Sequence, residues 1–194
     1  YLGLESVNQE TQDGDHKAQT VDDIERAIKK LHEYGINSHG MFVLGADDDT
    51  KQTVRDTVTF ALKHRIDTVM LNILTPLPGT PQYESLEEQG RIFDKRWHLY
   101  DAHHVVFTPK QMTPYELQSE VIRAYARFYS KRQWLKLLVT FRFTRLLFHS
   151  WGVWIIRSWR KDARNKAFLA SLKRLPHSRS WHIANGSGME SAGL

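Results

Sequence analysis

Three short apolar runs, Tyr1–Leu4, Ile36–Leu44 and Ile66–Leu74, recur at intervals of about 35 residues with helix-period patterns between them. No other feature constrains the chain as strongly. The runs end in Glu5-Ser6, in Gly45-Ala-Asp-Asp-Asp49, and in the stretch Asn72–Tyr83 stiffened by Pro76, Pro78 and Pro81. Right-handed helical crossovers between parallel strands would bring all of these ends to one rim. Proline fixes φ and removes a backbone donor, so the last stretch continues neither a helix nor a central strand. Parallel α/β folds place ligands at such a rim, and a rigid loop with one glycine offers backbone groups at fixed positions. A proline-rich turn with no ligand is the plain alternative.

The segments between the runs carry helix signals. Thr20 stands as an N-cap ahead of Ile24, Ala27, Ile28 and Leu31, and Gly35 as the stop. Thr50 opens a second helix with Val54, Thr57, Val58, Ala61 and Leu62 on one face and Lys63-His-Arg65 at its end. Further on, Tyr83–Arg91 reads as a short helix closed by Gly90, and Val105–Phe107 as a strand-like run. Thr113, Pro114 and Glu116 then form a capping-box start for a helix carrying Leu117, Val121, Ala124, Tyr125 and Phe128, expected to pack on the flank of the sheet.

Among the polar rim residues, Glu5 is the strongest candidate for a ligand contact, because a carboxylate at the end of an inner strand needs a donor. Asp47–Asp49 read first as a solvated loop and cap cluster. A magnesium site there is weak, since consecutive carboxylates do not form an octahedral set. His103-His104 read as structural histidines, with a substrate contact as the minority reading; adjacent residues on an extended segment point to opposite faces.

The chain of 194 residues contains no cysteine, which excludes disulfides and thiolate metal sites built from these residues. Its net charge of +5 divides unevenly: residues 1–100 carry 11 Lys/Arg against 17 Asp/Glu, and residues 101–194 carry 16 against 5. It starts at Tyr1 without a leader pattern, as expected of a piece of a longer protein. No apolar run approaches the roughly 18 residues that span a bilayer.

Three stretches in order, Leu2-Gly-Leu-Glu-Ser-Val-Asn-Gln-Glu-Thr11, Gly40-Met-Phe-Val-Leu-Gly-Ala-Asp-Asp-Asp-Thr50 and Leu74-Thr-Pro-Leu-Pro-Gly-Thr-Pro81, resemble the later half of a radical S-adenosylmethionine (radical SAM) barrel. The likeness is to the cobalamin-binding-domain branch, which includes methyltransferases and cyclases. It covers roughly residues 1–108 and, more loosely, the tail. It implies an α/β fold: a partial (β/α) radical SAM-type barrel of three parallel strands with helices, followed by a mainly helical basic extension over 109–177 and a disordered tail over 178–194.

By the same resemblance, Glu5 and Ser6 lie near the SAM ribose. Phe42, Val43 and Gly45 belong to the stretch lining the adenine, and Leu74, Thr75 and Pro76 to the loop whose backbone reads the adenine edge. Asp49 stands where related members carry Glu. The family's cofactors are SAM, a [4Fe-4S] cluster and, in this branch, cobalamin; electron transfer from the cluster to SAM releases a 5′-deoxyadenosyl radical. The family's CxxxCxxC cluster motif is absent here, so the chain alone is expected to be inactive and to need the missing N-terminal half of the barrel. Three strands by themselves would leave two unpaired edges and favour poor solubility.

Between Glu120 and Asp162 there is no acidic residue, while ten Lys/Arg fall among tryptophans, phenylalanines and leucines. Residues 123–161 therefore admit packing against the barrel, docking on a membrane surface, or nucleic-acid contact, the last ranking lowest. The expected substrate is a small molecule or lipid-like, and the expected location cytoplasmic, with membrane attachment left open. A non-catalytic peripheral membrane or interaction module is the rival function. An intact nucleotide-binding domain ranks third, because no glycine-rich phosphate loop follows any strand.

Overall fold

A computed structural model describes residues 1–5, 21–139 and 143–175. Ser6, the Thr20 cap and the 178–194 tail lie outside the described residues. The three apolar runs form one parallel sheet in the order β1 (Leu2–Glu5), β2 (His39–Leu44), β3 (Thr68–Ile73). Strands β2 and β3 are shorter than their apolar runs, and β1 is shifted by one residue to end at Glu5. Ile36 is half exposed and lies in the approach to β2, while Ile66 is buried just before β3. In register, Leu2 pairs with Gly40, Gly40 with Val69 and Leu44 with Ile73, so the strand carboxyl ends do share a rim.

Alternation along β2 buries Gly40, Phe42 and Leu44 while His39, Met41 and Val43 remain half-buried on the opposite face. Helices α1 (Val21–Glu33) and α2 (Lys51–Lys63) lie between the strands, and their apolar residues Ile24, Ile28, Val54 and Val58 join Phe42 and Leu44 in one core. Gly35 ends α1 at φ 70°. Thr50 caps α2 reciprocally with Thr53. Helix α3 (Pro81–Glu88) begins earlier than Tyr83, because Thr80 caps it and Pro81 fills its first turn. That is the same Thr-Pro start that opens α4 (Pro114–Phe128) at Thr113 and Pro114. Val105–Phe107 is fully buried and forms one antiparallel bridge, Ile92 with Phe107.

Helix α4 packs on α2 and against β3. Its Glu120 carboxylate, buried in that contact, takes Arg55 of α2 at 3.3 Å and Arg123 at 2.6 Å. Burial alone would raise the Glu120 carboxyl, but the two guanidiniums hold it below the usual carboxylate range. Beyond α4 the chain forms α5 (Lys131–Val139), α6 (Phe143–Lys161) and α7 (Ala163–Leu172).

The expectation of two unpaired sheet edges is corrected at β3. Its outward N–H groups are taken by Tyr129 Oη from Val69 at 3.2 Å, by Tyr125 Oη from Leu71 at 2.7 Å, and by the Ala102 carbonyl from Ile73 at 2.7 Å. Side chains of α4 and a loop thus stand where another strand would pair. The other edge is different: β1 has no strand partner on its outer side among the described residues. The inner-strand placement of Glu5 is corrected with it, since β1 is an edge strand of the described sheet.

Candidate functional site

The rim is shaped by one turn. Gly45 follows β2 at φ 108°, and a Cβ there would meet Leu117 Cδ2 at 2.8 Å, so only glycine fits both the backbone and the close approach of α4. The turn is locked from within. Asp49 Oδ2 accepts the N–H groups of Gly45 at 2.8 Å and Ala46 at 3.0 Å.

Asp49 is fully buried, which corrects its reading as part of a solvated cluster. Its Oδ1 has no hydrogen-bond partner among the described residues. Burial raises its pKa, the two backbone donors oppose that, and the neighbouring Asp48 charge adds to it. Asp47 behaves differently. It reaches Arg91 at 2.7 Å and Lys110 at 2.5 Å, and these cations keep its carboxyl low despite partial burial. The three consecutive carboxylates therefore split into one buried turn lock and one ion-paired surface group, with Asp48 exposed. Among the described residues no group of three metal-ligating side chains occurs.

The other rim residues fall as follows. The backbone of Glu5 ends β1 opposite Phe42. Phe42 is 0% exposed in the helix-facing core, on the face opposite Val43. Leu74 donates its N–H to Leu44 at 2.8 Å, extending the ladder one step past β3. Thr75 turns its hydroxyl back to the Ile73 carbonyl at 3.0 Å, and Pro76 is buried after it. Val43, Gly45, Leu74 and Thr75 are thus brought together at the strand ends by the β2–β3 ladder, and Phe42 supports them from behind.

At the opposite end of the strands lies a 610 Å³ cavity, mostly apolar, between β3, α4 and α6. Thr68, Met70, Tyr125, Tyr129, Trp151 and Trp159 contribute to its wall. Asp67 anchors this end: it accepts the Ser38 N–H at 2.8 Å and pairs with Arg145 of α6. This cavity therefore does not coincide with the rim.

Sequence reasoning missed the polar roles of Gln118, Tyr125 and Tyr129. Gln118 accepts the Val105 N–H at 2.9 Å and donates to the His103 carbonyl at 2.8 Å. Tyr125 reads in the sequence as part of an apolar helix face, and Tyr129 follows it by one turn. The available signal was their spacing of four on that face, which carries two hydroxyls into a core contact. His104 is held by Asp101 at 2.9 Å and approaches Asn165 at 3.3 Å, a structural role. Burial opposes its proton, and Asp101 overrides burial to raise its pKa.

Parallel βα units that deliver their strand ends to one rim, followed by a helical region, define an α/β protein of the type from which (β/α) barrels are built. No family profile matches the chain. Curated relatives do. The chain is 31% identical to bacteriochlorophyllide d C-12(1)-methyltransferase of Chlorobaculum tepidum over 129 residues, 66% of this chain and 28% of that protein. It is 33% identical to anaerobic magnesium-protoporphyrin IX monomethyl ester cyclase of Cereibacter sphaeroides over 131 residues, 68% of this chain and 21% of that protein. A shorter match of 65 residues, 31% identical, is to hopanoid C-2 methylase of Rhodopseudomonas palustris, covering 34% of this chain and 12% of that protein. The chain thus spans less than a third of the length of these relatives. Over that part the chain is similar to these proteins, in agreement with its resemblance to the cobalamin-binding branch of the radical SAM family.

Proposed function

We propose that this chain forms one wall of the SAM site in a cobalamin-type radical SAM enzyme, a methyltransferase or cyclase acting on a large apolar substrate. The observation that carries the reading is the shared rim: β1, β2 and β3 end together at the stretches through which the chain resembles the family. The relatives' names point to bacteriochlorophyllide, magnesium-protoporphyrin and hopanoid chemistry. These are bulky, largely apolar ring systems, and the substrate class is drawn from them.

The residues fit part of the cofactor set. A [4Fe-4S] cluster does not fit this chain, because thiolates hold such clusters and the sequence has no cysteine. SAM fits the rim better. The buried Asp49 Oδ1 is an unused acceptor in the turn that ends β2, among the described residues. Glu5, Ser6, Val43, Gly45, Leu74, Thr75 and Pro76 would hold its adenosine part. SAM, when bound, supplies the methyl or 5′-deoxyadenosyl group. The chain's own contribution is positional: Asp49 fixes the Gly45 turn, the Leu44–Leu74 hydrogen bond fixes the β3 loop, and Phe42 backs both.

The experiment pairs this chain with a CxxxCxxC-bearing barrel half under anaerobic reconstitution. The chain alone is expected to take up no stoichiometric iron and sulfide, and the pair to release 5′-deoxyadenosine. A photoreactive SAM analogue should label residues 43–45 or 74–76 in the assembled pair. A stoichiometric cluster on the chain alone, or labelling confined to other residues, overturns the reading.

A further inference from the structure

Helix α6 has two distinct faces. Inward, Arg145, His149, Gly152, Ile156 and Trp159 recur at helical spacing and are buried or half-buried. Outward, Leu147, Phe148, Trp151, Trp154 and Ile155 are 72%, 54%, 61%, 64% and 41% exposed. At α-helical spacing these five residues occupy an arc of about 120°. Arg157 and Lys161 lie along one border of that arc, next to Trp154, and are exposed. The other border, at Phe148 and Ile155, leads into the apolar cavity.

The adjoining α5 repeats the pattern. Leu135, Leu138 and Val139 are exposed beside Lys131, Arg132 and Lys136, and α5 is tied to α6 by Trp134 Nε1 donating to Ser150 Oγ at 2.9 Å. Residues 123–161 contain no acidic side chain.

From this we infer that α6, with α5, docks flat on an anionic lipid bilayer surface, the aromatic arc entering the headgroup region and the flanking cations meeting lipid phosphates. Charge complementarity selects the occupant. The segment has no anion over 39 residues, and the exposed Lys131, Arg132, Lys136, Arg157 and Lys161 of α5 and α6 match an anionic layer, while tryptophan is enriched where a layer turns from polar to apolar. A nucleic acid would be met by cations at the centre of the contact, whereas here aromatics hold the centre and cations the border. No helix among the described residues is long and apolar enough to cross a membrane, so the geometry is one of lying on the surface. The inference does not depend on the SAM reading.

The test is cosedimentation of the full chain with vesicles of phosphatidylcholine alone and of phosphatidylcholine with one third phosphatidylglycerol, at low and high salt, beside a nucleic-acid competitor and a sedimentation measurement of self-association. Binding is expected to the anionic vesicles at low salt and to weaken at high salt. Trp151→Ser with Trp154→Ser should abolish most of it. Arg157→Gln and Lys161→Gln together should lower it by about 30-fold. All four positions are exposed, and circular dichroism is expected to be unchanged. Equal binding to neutral vesicles, no binding at low salt, displacement by nucleic acid, or a stable dimer that Trp151→Ser dissolves would each overturn the inference.

Discussion

The Tyr125 hydroxyl accepts the backbone N–H of Leu71 at 2.7 Å, so a helix side chain occupies the position of a missing strand. Tyr129 does the same for Val69, accepting its N–H at 3.2 Å and donating to its carbonyl at 3.3 Å. Burial pushes the Tyr125 phenol up to about 12, and the Leu71 hydrogen bond opposes this only in part, so the group stays neutral at working pH. Tyr125→Phe leaves a buried donor unpaired and should lower stability by about 1–3 kcal/mol in urea unfolding. With Tyr129→Phe added, the β3 edge opens, and light scattering should show aggregation below the melting transition.

The Gly45 turn combines backbone and packing demands. Gly45→Ala should cost about 1–3 kcal/mol for backbone strain, with a comparable overlap cost against Leu117. Leu117→Ala alone removes a buried side chain and should cost about 2–5 kcal/mol. Because Leu117 is the clashing group, the double variant should be less destabilised than the sum of the singles by at least about 1 kcal/mol. Strict additivity in a double-mutant cycle would place the strain elsewhere.

Asp49 separates hydrogen bonding from charge. Asp49→Asn keeps an oxygen for the Gly45 and Ala46 N–H groups and removes a carboxylate whose ionisation burial opposes, so its stability change should stay within about 1 kcal/mol. Asp49→Ala orphans both donors and should cost about 2–4 kcal/mol. Similar losses in the two variants would show that Asp49 acts through its charge.

Gly152 sits mid-helix in α6, where alanine would ordinarily add about 1 kcal/mol. Here a Cβ would meet the Tyr129 ring at 2.5 Å. Gly152→Ala should therefore reverse the usual sign and loosen α6 from α4. Faster hydrogen exchange across 143–161, with little change in α2, is the expected signature.

His104 makes stability depend on pH. Its folded pKa is raised above the ordinary 6.5, so its contribution is fully present below 6.5 and is lost as pH rises through the higher folded value. Asp101, depressed by His104 and two backbone donors despite burial, contributes above its ordinary 3.8 and loses that contribution as pH falls through its lower folded value. The pair is therefore most stabilising between these limits. The melting temperature of the parent relative to His104→Asn should be highest near pH 5.5 and fall toward pH 8. A difference that is flat with pH would remove the ion pair from the account.

What the sequence determined by itself was local and periodic. Three apolar runs with helical patterns between them specify three parallel strands and their common rim, because strand and helix periods differ and short crossovers have one hand. Thr50, Thr113-Pro114 and Gly35 likewise mark helix ends through their own backbone chemistry. Only the tertiary structure decided what lies far apart in the chain. Tyr125 and Leu71 are separated by 54 positions, and their hydrogen bond exists only because α4 packs along β3. The same holds for Gly45, whose need for a bare Cα depends on Leu117, and for Asp49, which is buried rather than solvated because its turn folds under α4. The division of the basic aromatic segment is another such decision. Composition shows tryptophans among arginines, but which of them face outward depends on the rotation of α6 about its axis, fixed by the close contact of Gly152 with Tyr129.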